Sequence, residues 1–129
     1  MSKLVLVSGD LVLGARVEGA ARKCGLTMVT AAGHAPAVAA CGDDCRLVLI
    51  DLRSPGLDVA ALVDELRQQT ANPVPANLVP ANLVIVACGP HVHEMRLDEA
   101  RQAGCDLVVT RGQLEREAEA IFQRVVETE

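Results

Sequence analysis

The run Leu47-Val48-Leu49-Ile50, set between Arg46 and Asp51, constrains this chain more than any other stretch. Four consecutive apolar residues without alternation call for burial on both faces, which is the situation of a strand inside a parallel sheet. Ser54-Pro55-Gly56 then marks a loop, and a helical pattern from about Asp58 to Gln69 puts Val59, Leu62, Val63 and Leu66 on one face. In open parallel sheets the functional crevice lies outside the carboxyl ends of the strands. Asp51, which ends this strand, is therefore the first candidate site residue.

The same unit recurs along the chain. Lys3 to Val7 reads as a buried strand ending at Ser8-Gly9-Asp10, and Leu13, Val17, Ala20, Ala21 and Cys24 then repeat at helical spacing. Gly25 stops that helix, and Ser8 or Asp10 can cap it. Leu26 to Ala31, richer in Thr and Val, reads as an edge strand. Gly33 to Cys41 is a short Ala-rich helix entered through Pro36, and Leu47 to Asp51 is the third strand. Leu83 to Ala87 is a fourth buried strand with Cys88-Gly89-Pro90 as a break. A helix follows from about Val92 to Ala103 and stops at Gly104. Leu107 to Val109 is the fifth strand, and Leu114, Ala118, Ile121, Phe122 and Val125 mark the apolar face of the last helix. Right-handed crossovers between five strands and five helices predict an α/β fold. It is a doubly wound five-stranded parallel sheet of flavodoxin-like order 2-1-3-4-5, with helices on both faces. A chain of 129 residues fits one such domain, 1–129.

Composition narrows the partners. Trp and Tyr are absent and Phe122 is the single aromatic, so there is no platform on which nucleic-acid bases could stack. A formal net charge of -5 repels polyanions. Nucleic acid is not an expected partner. No apolar run approaches the roughly 18 residues that span a membrane, so a cytoplasmic protein without membrane contact is expected. The five cysteines include no Cys-x-x-Cys pair and read as buried free thiols of a reducing compartment. Val74-Pro75-Ala76-Asn77-Leu78 is repeated at once as Val79-Pro80-Ala81-Asn82-Leu83. Tandem duplication in a surface loop accounts for it, since longer loops add little closure entropy; a Pro-stiffened docking segment is the sharper alternative.

Asp51-Leu-Arg-Ser-Pro-Gly-Leu-Asp58, the segment Gln102-Ala-Gly-Cys-Asp-Leu-Val-Val109 and the order of elements together resemble the receiver domain of two-component response regulators, over the whole chain. The resemblance implies that Asp51 stands at the phosphoacceptor position. It also implies Mg²⁺, held by that Asp and an acidic pair after the first strand, as the one cofactor a phosphorylated form would need. Here Ser8-Gly9 occupy the acidic positions, with Asp10 next in line. Ala87 corresponds to the family's hydroxyl residue at the end of strand four. Thr110 corresponds to its Lys at the end of strand five, and Arg111 to the Pro after it. The resemblance is thus to a degenerate, pseudo-receiver variant, expected to signal by protein contact without normal Mg²⁺-dependent phosphorylation and without being an enzyme. The alternative is a working phosphoacceptor, phosphorylated at Asp51 in a phosphorelay. Arg53 and Arg111 can each reach toward Asp51 and supply a fixed positive charge; the plainer expectation leaves both solvated in their loops.

By the same resemblance another signalling protein would dock on the fourth helix, fifth strand and fifth helix, Val92 to Ala103 and Gln113 to Val126, a surface that also leaves room for a homodimer. Leu97 falls off the best apolar face of the fourth helix and is expected to be exposed. Glu115, Arg116, Glu117, Glu119 and Arg124 read as a solvated face. A competing constellation is Cys88 with His91 and His93, to which His34 can be added, since thiolate and imidazole bind zinc. Its spacing matches no familiar zinc pattern, and Cys88 has no oxyanion motif beside it to serve as a nucleophile. Neither Gly-x-Gly-x-x-Gly nor a Walker Gly-Lys-Ser/Thr occurs, which removes both common nucleotide sites.

Overall fold

The computed structural model describes residues 2–42, 44–70 and 83–127. The tandem repeat lies outside them except for its last residue, Leu83. At the centre stands β3 (Cys45–Asp51), all seven residues of which are buried. It begins two residues earlier than its apolar run, because Cys45 is a small apolar side chain and Arg46 sends its guanidinium to the carbonyl of Val125 at 3.3 Å. Around it lie β1 (Lys3–Val7), β2 (Thr27–Ala31), β4 (Val84–Gly89) and β5 (Leu107–Thr110), in the parallel order β2-β1-β3-β4-β5. The crossovers are α1 (Leu11–Lys23), α2 (His34–Ala40), α3 (Val59–Thr70) and α4 (Glu94–Ala103), and α5 (Arg111–Glu127) follows the last strand.

Both faces of the sheet are covered, and so the strands show no alternation in sequence although their side chains still alternate in space. Val5, Val7, Val48, Ile50, Ile85 and Ala87 face a layer built from α2, α3 and α4. Leu4, Leu6, Leu47, Leu49, Val86 and Cys88 face α1 and α5, with Leu13, Val17 and Phe122 opposite them. Asp51 follows Leu49 by two and shares its register row with Cys88, so it belongs to the α1 and α5 side of the carboxyl edge. Ser8 comes one residue after the Val7 and Ile50 row, which sets it beside Asp51 on that side.

Three expectations are corrected. The fourth strand does not break at Cys88-Gly89: both residues pair with neighbouring strands, and the Leu52 amide donates to the Cys88 carbonyl at 2.8 Å. Gly89 is there for closeness, since a Cβ on it would lie 3.3 Å from the Cβ of Leu52. Leu97 is buried, at 5% exposure, while Val92 and Met95 stand out at 70% and 79%. The reason is helical phase: α4 starts at Glu94, and counting Val92 into it turned the apparent face away from Leu97 and Ala100. The thiols are not uniformly buried, for Cys24 and Cys105 are only partly so.

Candidate functional site

Asp51 is 4% exposed, and its carboxylate is enclosed by donors from this chain. The hydroxyl of Ser8 donates to Oδ2 at 2.7 Å. The Arg53 amide donates to Oδ1 at 3.0 Å, and the Arg53 Nε stands 3.6 Å from that oxygen. Two donors and a guanidinium satisfy a buried carboxylate, which is what permits its burial. The Ser8 hydroxyl also accepts from the Asp10 amide at 3.1 Å, so one serine fixes the β1 to α1 turn and meets Asp51.

Asp10 is equally engaged. Its Oδ1 accepts from the amides of Val12 at 2.9 Å and Leu13 at 3.1 Å, capping α1. Its Oδ2 accepts from Arg53 and, at 2.9 Å, from Arg111. The two arginines are therefore not idle in their loops. Arg53 bridges Asp10 and Asp51; Arg111 pairs with Asp10 rather than Asp51, and its Nε lies 3.7 Å from Glu115. Glu115 also meets Arg16 and Glu119 meets Lys23, so the supposed solvated face of α5 is partly tied to α1.

Thr110 has a different task from the lysine the resemblance puts there. Its Oγ1 accepts from the Gln113 amide at 3.1 Å while Gln113 Oε1 accepts from the Thr110 amide at 2.9 Å. This is a reciprocal capping box that starts α5 and places Arg111 in its first turn. The Thr-x-x-Gln spacing is visible in the sequence and was the signal for it. Ala87 lies fully buried on the opposite face of the sheet from Asp51, in the row of Ile50. Cys88 is the β4 residue level with Asp51. Burial first, and then the charge of Asp51, push its thiol up to about 12, so at neutral pH it stays protonated. His91 and His93 are exposed beyond the strand, and His34 pairs with Glu65 at 2.9 Å. The weak zinc constellation is not assembled: among the described residues no three His, Cys, Asp or Glu side chains are grouped to hold a metal.

The residues present do not fit Mg²⁺. A hard divalent ion needs free carboxylate oxygens. Those of Asp51 and Asp10 are taken by amides, a hydroxyl and guanidinium groups, and the Arg53 cation sits between the two acids.

One consequence for stability is direct. The Leu13 amide chiefly, against some desolvation, and then the Val12 amide and Arg53 hold the Asp10 carboxyl below its ordinary 3.8. A depressed value means stabilisation that is complete above about 3.8 and is lost as pH falls through the folded value. Asp10→Ala is expected to melt lower than wild type at pH 7, with the gap narrowing as the melting series is carried below pH 3.8. A gap that stays constant down that series would show that the Asp10 charge contributes nothing.

No family model and no curated protein matches this sequence. Solved structures match in fold. NtrX from Brucella abortus in complex with ADP superposes with TM-score 0.76 at 23% identity; the match covers 99% of this chain and spans only 28% of the NtrX chain. The separate receiver domain of NtrX matches at TM-score 0.75 and 24% identity, with 99% of this chain and 100% of that one covered. The receiver domain of a sensor histidine kinase from Pseudomonas aeruginosa, with a magnesium ion coordinated in its active-site cleft, matches at TM-score 0.74 and 21% identity, covering 98% of each chain. The fold is that of response regulator receiver domains.

Proposed function

We propose that this chain is a receiver-like cytoplasmic signalling module that acts by binding another protein, is not an enzyme, and is not switched by Mg²⁺-dependent phosphorylation of Asp51. The observation that carries this reading is the Ser8 to Asp51 hydrogen bond of 2.7 Å together with the Arg53 bridge to Asp10. An internal donor and an internal cation stand where a receiver that takes up phosphate needs acids and a metal. Cys88, the β4 residue level with Asp51, carries no hydroxyl to follow a phosphoryl oxygen, and Thr110 is committed to its cap. A modification that makes no differential contact between two states shifts no population. The setting agrees with such a module: no described helix is long and apolar enough to cross a membrane. Val92, Met95 and Leu107 leave apolar surface on the α4 and β5 side, where the resemblance places partner docking.

Acetyl phosphate with Mg²⁺ is expected to leave the intact mass unchanged, and Asp51→Asn is expected to leave partner affinity nearly the same. A Mg²⁺-dependent gain of one phosphoryl group, absent in Asp51→Asn, would overturn the proposal in favour of a phosphoacceptor in a phosphorelay.

A further inference from the structure

The carboxyl edge of the sheet opens into a cleft of about 710 Å³, lined by Asp10, Arg53, His91, Arg111, Gly112 and Arg116 among others. That volume lies in the range of small-molecule sites. Three guanidinium groups face it. Against them stand Asp10, which accepts from Arg53 and Arg111 through one oxygen, and the buried Asp51 behind Arg53. Glu115 approaches Arg111 from outside but is shared with Arg16, so that acid and that base offset each other. Arg116 makes no ion pair among the described residues. It lies over the first turn of α5, where a Cβ on Gly112 would come within 3.3 Å of its Nη1. The cleft is therefore one negative charge short, on a chain whose formal net charge is -5.

The ligand chemistry follows from these groups. Guanidinium forks bind phosphate and carboxylate oxygens in pairs; those of Arg53 and Arg111 already meet at one Asp10 oxygen, and Arg116 lines the same cleft, a set that suits an oxyanion with three outward oxygens. The amino end of α5 adds a favourable dipole. Arg53 and Asp10 keep 39% and 26% of their side-chain surface exposed, so an incoming anion can reach their ion pair from solvent and compete with Asp10 for the guanidinium. We propose that this cleft binds a small phosphorylated metabolite, its phosphate held noncovalently by Arg53, Arg111 and Arg116 in competition with Asp10 and without Mg²⁺.

Pyrophosphate titrated into the full chain in EDTA, at constant ionic strength, tests this through amide chemical shifts. Saturable shifts are expected at Val12, Arg53 and Gly112. Arg116→Gln should weaken binding by about tenfold or more, because a charged fork is lost. Arg116 is exposed, so the thermal midpoint of that variant should not move. Asp10→Asn should tighten binding, since asparagine keeps the helix cap while releasing two guanidinium groups. Absence of saturable shifts, saturable shifts confined to another surface, or equal affinity in Arg116→Gln would each overturn the proposal. None of these readouts depends on whether Asp51 accepts phosphate, so this proposal and the preceding one can fail separately.

Discussion

Ser8→Asp is expected to destabilise the fold by about 4 kcal/mol at neutral pH. It removes a hydrogen bond to a charged acceptor, worth about 1.5–3 kcal/mol, and sets a second carboxylate about 4 Å from the first, where an effective dielectric near 20 gives about 4 kcal/mol of repulsion. The two contributions do not add in full, because neighbouring carboxylates can hold one proton between them. That proton sets the sign of the pH dependence. The folded variant binds a proton that its unfolded chain releases, so its stability rises as pH falls toward the ordinary carboxylate range. Wild type, with the Asp10 carboxyl held down, moves the other way in acid. Ser8→Ala removes the donor without adding charge and should lose about 1–3 kcal/mol. Urea unfolding of the three proteins at pH 7 and pH 5 checks the order. Millimolar Mg²⁺ should raise the unfolding midpoint of Ser8→Asp and leave wild type unmoved. Equal stability of Ser8→Asp and wild type at pH 7 would show that the 2.7 Å bond to Asp51 has no energetic weight.

Much of this arrangement is legible in the chain, and what is not has identifiable causes. The run before Asp51 announces a strand buried on both faces, and the order β2-β1-β3-β4-β5 follows from the alternation of elements. The order makes β1 and β3 neighbours, and both apolar runs end in a polar residue at the same edge. The meeting of Ser8 with Asp51 could have been read from that, because parallel strands with matched ends put those side chains on one face. The Thr110 capping box is likewise written as Thr-x-x-Gln. The partners of Arg53 and Arg111 are a different matter. A guanidinium on a flexible stem reaches acids several residues away in any direction, and only the fold decides that both meet Asp10. Gly89 shows a further ambiguity: a glycine at the end of a strand fits a break or a close approach, and the deciding neighbour, Leu52, is remote in sequence. Leu97 was obscured because α4 carries too few apolar residues to define its own phase.

The second large effect lies away from the site. Phe122→Ala is expected to cost about 3–5 kcal/mol, and Phe122→Leu, which removes fewer buried atoms and leaves a smaller cavity, clearly less. Phe122 is the only aromatic in the chain and is fully buried between α5, α1 and the sheet, among Leu, Val and Ala side chains too short to fill its space. Close packing leaves such a cavity largely open, and the lost contacts are not recovered by relaxation. The consequence reaches the cleft through α5. Arg111 sits in the first turn of that helix and Arg116 in its second, so a loosened helix releases two of the three guanidinium groups that face the anion site. Phe122→Ala should therefore speed hydrogen exchange along α5 and weaken pyrophosphate binding even where most molecules remain folded, while Phe122→Leu restores both. If Phe122→Ala unfolded at the same urea concentration as wild type with an unchanged slope, the packing of α5 would not be what holds Arg111 and Arg116 in place.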